Sequence, residues 1–75
     1  MKGELLLDIK YEFGINVRRE REKRGWTIEK LAEKSNLNAN HLGSIERGNE
    51  NVSLDTIFKI SLALDIEVMN LFKFD

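Results

Sequence analysis

Three times in 75 residues the chain writes the same helix-start signal. Trp26-Thr27 precedes IEKLAEKS, Leu37-Asn38 precedes ANHLGSIER, and Val52-Ser53 precedes LDTIFKISLAL. Thr27, Asn38 and Ser53 each bring a side-chain oxygen that accepts a bond from the orphan N–H groups of a helix's first turn. The apolar residue ahead of each cap can pack on the fourth helical position, pairing Trp26 with Leu31, Leu37 with Leu42 and Val52 with Ile57. Three hydrophobic staples in register leave few alternatives to short helices joined by tight turns.

The stops agree with the starts. Gly25 can end a first helix running from about Asp8 to Arg24, and Gly48 can end a third over about 39–47. Asn36, which tolerates the left-handed conformation, suits the end of a second helix over 28–35. Within these limits the apolar spacing is helical: Ile9, Phe13 and Val17; Ile28, Leu31 and Ala32; Leu42 and Ile45; then Leu54, Ile57, Ile60, Ser61 and Leu64. A short fifth helix, roughly Glu67–Phe72, would fold Ile66, Leu71 and Met69 back onto the core. The expected fold is all-α, a compact five-helix bundle over residues 8–75 behind an N-terminal extension, 1–7. There GELLLDIKY can either lengthen the first helix or form an edge strand.

A chain this short buries only about 60% of its unfolded surface, so its stability needs reinforcement. The absence of cysteine excludes disulfides and thiolate-bound zinc, and a single histidine argues against a His-based metal site. Helical packing or a dimer interface is left to supply the stability. No cofactor is expected. No apolar run is longer than three residues, as at Leu5-Leu6-Leu7, far below the roughly 20 residues that span a bilayer, so the expectation is a cytoplasmic protein with no membrane partner. An enzyme is disfavoured too: there is no cysteine nucleophile, no phosphate-binding glycine loop and little volume for a pocket.

The net charge of −1 is unevenly spread. Residues 18–47 hold eight basic and five acidic side chains, whereas residues 48–75 hold two basic and five acidic ones. Phosphates respond to a local basic face rather than to the total, so a nucleic-acid partner stays open. The other reading is a solvated, salt-bridged helix, since RREREKR mixes signs at helical spacing.

Only Asn36-Leu37-Asn38 joins the second and third helices, and a link that short forces the steep crossing of a helix-turn-helix. In that arrangement the second member enters the major groove and the first crosses the DNA backbone. Residues 13–72 resemble the phage-repressor-like (Cro/Xre) helix-turn-helix family. The resemblance rests on Arg21 before Gly25, the T-x-E-x-LA stretch at 27–32, IERG at 45–48 and a helix closing in ALDI. Within it, N-x-S-L-x-x-I-x-K-I-x-x-AL at 51–64 is similar to controller proteins of restriction–modification systems. Departures are Ile28 where a Gln often touches phosphate, Val52 where Pro is frequent, Glu20 at an apolar position, and Asn36 and Asp65 at helix ends that usually carry Gly.

The resemblance implies that Arg21 and Glu46 form an internal salt bridge; the alternative is two exposed surface charges. It also implies base-reading positions at Ala39, Asn40, Gly43 and Ser44. Asn40 suits a bidentate pair with adenine, Ala39 a thymine methyl and Ser44 several base edges, while Gly43 lets the helix approach closely. Phosphate contacts fall to Arg47, Asn49 and Asn51, and to the free N–H groups near Thr27, with Arg18, Arg19 and Lys34 as further candidates. His41 reads equally as a phosphate contact or as a half-buried helix residue.

Because Asn, Ser and Ala discriminate less than Arg on guanine, specificity leans on dimerisation and on DNA shape. Phe58, Leu62, Met69, Phe72 and Phe74 exceed what a small core requires and suggest a homodimer interface. The alternative is a better-filled core with scattered surface apolar residues. The function expected is a sequence-specific, double-stranded-DNA-binding transcriptional regulator, a homodimer on a palindromic operator, with no small-molecule effector site visible. The alternative is a protein–protein module, an antitoxin or adaptor, that kept the fold and lost DNA binding.

Overall fold

A computed structural model describes residues 8–74. In chain order the elements are α1 (Ile9–Lys23), α2 (Ile28–Ser35), α3 (Ala39–Glu46), α4 (Leu54–Leu64) and a 3₁₀ helix (Val68–Phe72). The fold is all-helical among the described residues. The expected fifth helix is therefore a correction: five residues after the turn at Asp65-Ile66 form a tighter 3₁₀ element, a common form for so short a piece. The two readings of residues 1–7 lie outside the described residues. From Asp8 onward the chain is clear, because the Asp8 carboxylate accepts from the Lys10 N–H at 3.1 Å and starts α1 at Ile9.

The three stapled starts are capped by their own side chains. Thr27 Oγ1 accepts from Lys30 N at 3.0 Å, Asn38 Oδ1 from His41 N at 3.1 Å, and Ser53 Oγ from Thr56 N at 3.1 Å. Trp26, Leu37 and Val52 pack against the core beside them. All four α-helices end alike, in a left-handed residue followed by a bond back to the last turn. Trp26 N donates to Arg21 O, Leu37 N to Ala32 O, Asn49 N to Ser44 O and Ile66 N to Ser61 O, at 2.9–3.2 Å. Asn36 and Asp65 take φ of 58° and 57°, so each fills a place where glycine is cheaper, using the tolerance of Asx side chains for this region.

Phe13, Val17, Leu31, Ala32, Leu42, Ile45, Ile57, Ile60, Leu64 and Leu71 make one core. Several expectations about it need correction. Ile9 (55% exposed), Leu54 (85%) and Met69 (64%) lie on the surface, because each sits in the first turn or two of its element and overhangs the packed stripe. Phe72, expected as surplus, instead stacks on Phe13 with ring centroids 5.1 Å apart, and Phe74 packs edge-on against Phe72 at 6.1 Å.

Two polar residues fasten the C-terminal part to α1. Asn16 is buried, and its amide nitrogen donates to Leu71 O at 2.9 Å and to Lys73 O at 3.1 Å. Asn16→Ala strands those carbonyls and is expected to cost about 2 kcal/mol in urea unfolding. Arg24 Nη2 donates to Leu64 O at 2.7 Å, meeting an orphan carbonyl at the end of α4. Glu20 in turn holds Arg24 at 3.0 Å and Lys23 at 3.2 Å.

Burial works to raise the Glu20 carboxyl, but the hydrogen bonds from Arg24 and Lys23 outweigh it and hold the group below its ordinary value of 4.5. Its stabilising contribution is thus complete above 4.5 and disappears as pH falls through the lower folded value. Glu20→Gln is expected to lower the melting temperature at neutral pH by an amount worth under about 1 kcal/mol. The gap between the two proteins should close in acid well below 4.5.

Candidate nucleic-acid interface

The interface is built on α3, and the rest of the domain decides which way α3 faces. Leu42, Ile45 and Glu46 turn inward and are buried, while Asn40 is exposed and Ala39 and Ser44 are half-buried. The outward residues recur at 40, 43, 44 and 47, the spacing of one helical face. Together with Ile28 and Glu29 of α2 they line a shallow surface hollow. Ala39, Asn40, Gly43 and Ser44 are therefore brought together. Gly43 is a partial correction: it is buried rather than open, because the Arg47 side chain lies over it.

Of the other expected contacts only Arg47 lines this hollow, whereas Asn51 lines a separate one with Ile9, Lys10, Phe13, Val52, Ile57 and Phe72. Thr27 is exposed at the start of α2, where the first N–H groups have no partner within the helix and point outward. Arg47, Asn49 and Asn51 are exposed at and beyond the end of α3. His41 is half-buried, with Nδ1 3.8 Å from Glu50 Oε1, so an acidic group sits beside it.

The basic run in α1 is mostly spent within the domain. Arg18 pairs with Glu22 at 3.1 Å, Lys23 and Arg24 pair with Glu20, and Arg21 pairs with Glu46. Of the two readings of RREREKR, the salt-bridged helix describes the geometry. Lys34 lies 5.0 Å from the Trp26 ring centroid and Arg24 at 5.7 Å, so two cations attend the indole at the α1–α2 turn.

What aims α3 is its contact with α1. Arg21 Nε donates to Glu46 Oε2 at 2.7 Å and Arg21 Nη2 to Glu46 Oε1 at 2.9 Å, a bidentate pair whose side chains are 11% and 4% exposed. The third guanidinium nitrogen donates to Trp26 O at 2.7 Å. The hydrogen bond with Glu46 is the main cause that raises the Arg21 pKa above its ordinary value, against the opposing effect of burial.

Beside this pair α1 touches α3 backbone to backbone. A Cβ on Gly14 would strike the carbonyl oxygen of Ile45 and come within 2.6 Å of that of Glu46. Gly48, at φ 79°, meets the Tyr11 backbone, where a Cβ would lie 2.7 Å from Tyr11 Cα. Neither Gly14 nor Asn16 stands out in the motif. Their signal is a glycine and an amide at inward positions of a helical apolar period, where packing reasons are to be sought.

A family model described as helix-turn-helix matches residues 17–69. The chain belongs to the helix-turn-helix family. This is a family of DNA-binding transcription regulators. The chain is 43% identical over 68 residues to control protein C.BamHI of Bacillus amyloliquefaciens, covering 89% of this chain and 84% of that one. It is similar to the crystal structure of the restriction–modification controller protein C.AhdI from Aeromonas hydrophila, with a TM-score of 0.81, 44% identity, and 83% and 94% of the two chains covered. The regulator of biofilm formation SinR, solved in complex with DNA, matches with a TM-score of 0.77 and 32% identity over 81% of this chain and 98% of that one.

Proposed function

We propose that this chain is a homodimeric, sequence-specific DNA-binding regulator acting on a palindromic operator, in the manner of a restriction–modification controller. The observation that carries the reading is the outward stripe of α3. Ile28 and Glu29 at the start of α2 line the same hollow, and the Arg21–Glu46 pair holds α3 from behind. In this reading Ala39, Asn40 and Ser44 face base edges, while Thr27, His41, Asn49 and Asn51 face phosphates. The role is binding rather than catalysis. It belongs in the cytoplasm, and among the described residues no helix is long and apolar enough to cross a membrane.

The second copy is supported by surface chemistry. Leu54, Phe58 and Leu62 recur every fourth residue along α4 and are more than half exposed, and Val68 and Met69 of the 3₁₀ helix are exposed too. Such a stripe on a small domain is expensive to leave in water. Pairing two copies through it leaves both recognition helices free, to meet successive major grooves about 34 Å apart. The affinity of one weakly discriminating helix is then used twice.

Sedimentation of the purified chain tests the dimer. The expected result is a dimer for the native sequence and a folded monomer for Leu62→Glu, with weaker DNA binding. A native chain that stays monomeric at every soluble concentration would remove the two-copy reading.

A further inference from the structure

Arg47 is the one cation lying along the outward face of α3. It is exposed at the end of the helix, and its side chain folds back toward the N-terminus instead of reaching outward. Its Nη2 lies 3.4 Å from Ser44 Oγ, and its Nη1 rests where a side chain at position 43 would begin, 3.1 Å from the Cβ that Gly43 lacks. It therefore shares the hollow with Asn40, Gly43 and Ser44, one helical turn behind Ser44. Asn49 and Asn51, by contrast, lie beyond the helix in the following loop.

We infer that Arg47 is a specificity-determining residue that reads a guanine in the major groove, with Gly43 as the seat that lets its guanidinium lie flat along the helix. This rests on the DNA-binding reading above and revises the phosphate role expected for Arg47. A phosphate needs only a nearby positive charge. A planar fork of five donors beside the base-facing stripe matches the O6 and N7 acceptors of guanine more closely than the single ammonium of a lysine does. The assignment also supplies the strong base contact that the first turn of α3, with no Arg, Lys or Gln, leaves missing.

The role of Gly43 follows from the same contact. Gly43 has no unusual backbone conformation, so alanine there costs the helix nothing intrinsically, and the atom it crowds is the tip of Arg47. Gly43→Ala should therefore melt no lower than the native protein while losing discrimination.

The test selects bound duplexes from a random double-stranded pool and derives a consensus. Binding of the native chain, Arg47→Lys, Arg47→Ala and Gly43→Ala is then measured on the consensus and on every single-base-pair variant of it, at two salt concentrations. The expected result is that Arg47→Lys keeps the native salt slope yet binds the consensus about tenfold or more weaker, and no longer distinguishes one G·C pair in each half-site. The inference is overturned if Arg47→Lys behaves as the native chain while Arg47→Ala weakens all duplexes equally and lowers the salt slope by about one, the signature of a phosphate contact. A native chain that selects no duplex at all would instead remove the DNA-binding reading itself, and this assignment with it.

Discussion

Glu46→Ala is expected to lower the unfolding free energy by about 3 kcal/mol or more, because it leaves the Arg21 guanidinium buried without its carboxylate. The two side chains are 11% and 4% exposed, so water cannot take the place of the lost partner. In a domain of this size such a loss moves the melting temperature down by roughly 12 °C or more. Glu46→Gln keeps the shape but not the charge and should lie between native and alanine. A melting temperature for Glu46→Ala equal to the native one would show that the pair is open to solvent, and that α3 is held by something else.

Gly14→Ala reverses the usual direction of a helix substitution. In a free α1 surface the exchange would stabilise by about 1 kcal/mol through helix propensity. Here the new methyl group meets the carbonyl oxygens of Ile45 and Glu46, which belong to the backbone and cannot swing aside. The helices must separate, which loosens Arg21 from Glu46 and uncovers Val17 and Ile45. A net loss of at least about 2 kcal/mol is expected in chemical denaturation, with weaker DNA binding as α3 loses its fixed angle. A more stable Gly14→Ala protein would mean that α1 does not lie on α3 as described.

The parts of this fold that are legible in the sequence are those written locally. Caps at Thr27, Asn38 and Ser53 and left-handed stops at Gly25, Asn36 and Gly48 depend on residues within a turn of one another, so the bounds of α2 and α3 follow almost to the residue. What was not legible depends on neighbours distant in sequence. Gly14 and Asn16 look like weak points of a helix until the ends of α3 and of the chain are laid against them. Phe72 reads as surplus until Phe13 is placed beneath it.

The charge pattern shows the same limit. Whether RREREKR faces DNA or its own carboxylates depends on where Glu20, Glu22 and Glu46 sit. Three of its cations are claimed by two of those carboxylates, Glu20 and Glu46, and a fourth by Glu22. The candidate site divides likewise. The positions 39, 40, 43 and 44 are what the family resemblance implies, but the path of the Arg47 side chain over Gly43 is a tertiary fact that spacing does not supply.

Recognition of a DNA sequence by the outward face of α3 is tested on DNA binding itself. The most direct test titrates the purified chain against the DNA upstream of its own reading frame and against a shuffled duplex of the same composition, at about 50 and about 200 mM salt. Tight binding to the upstream duplex that weakens with salt, a clear preference over the shuffled one, and loss of that preference in Asn40→Ala with the fold intact are expected. Equal, weak binding of native protein to both duplexes, or none at the lower salt, would contradict such recognition and favour a protein partner for this face.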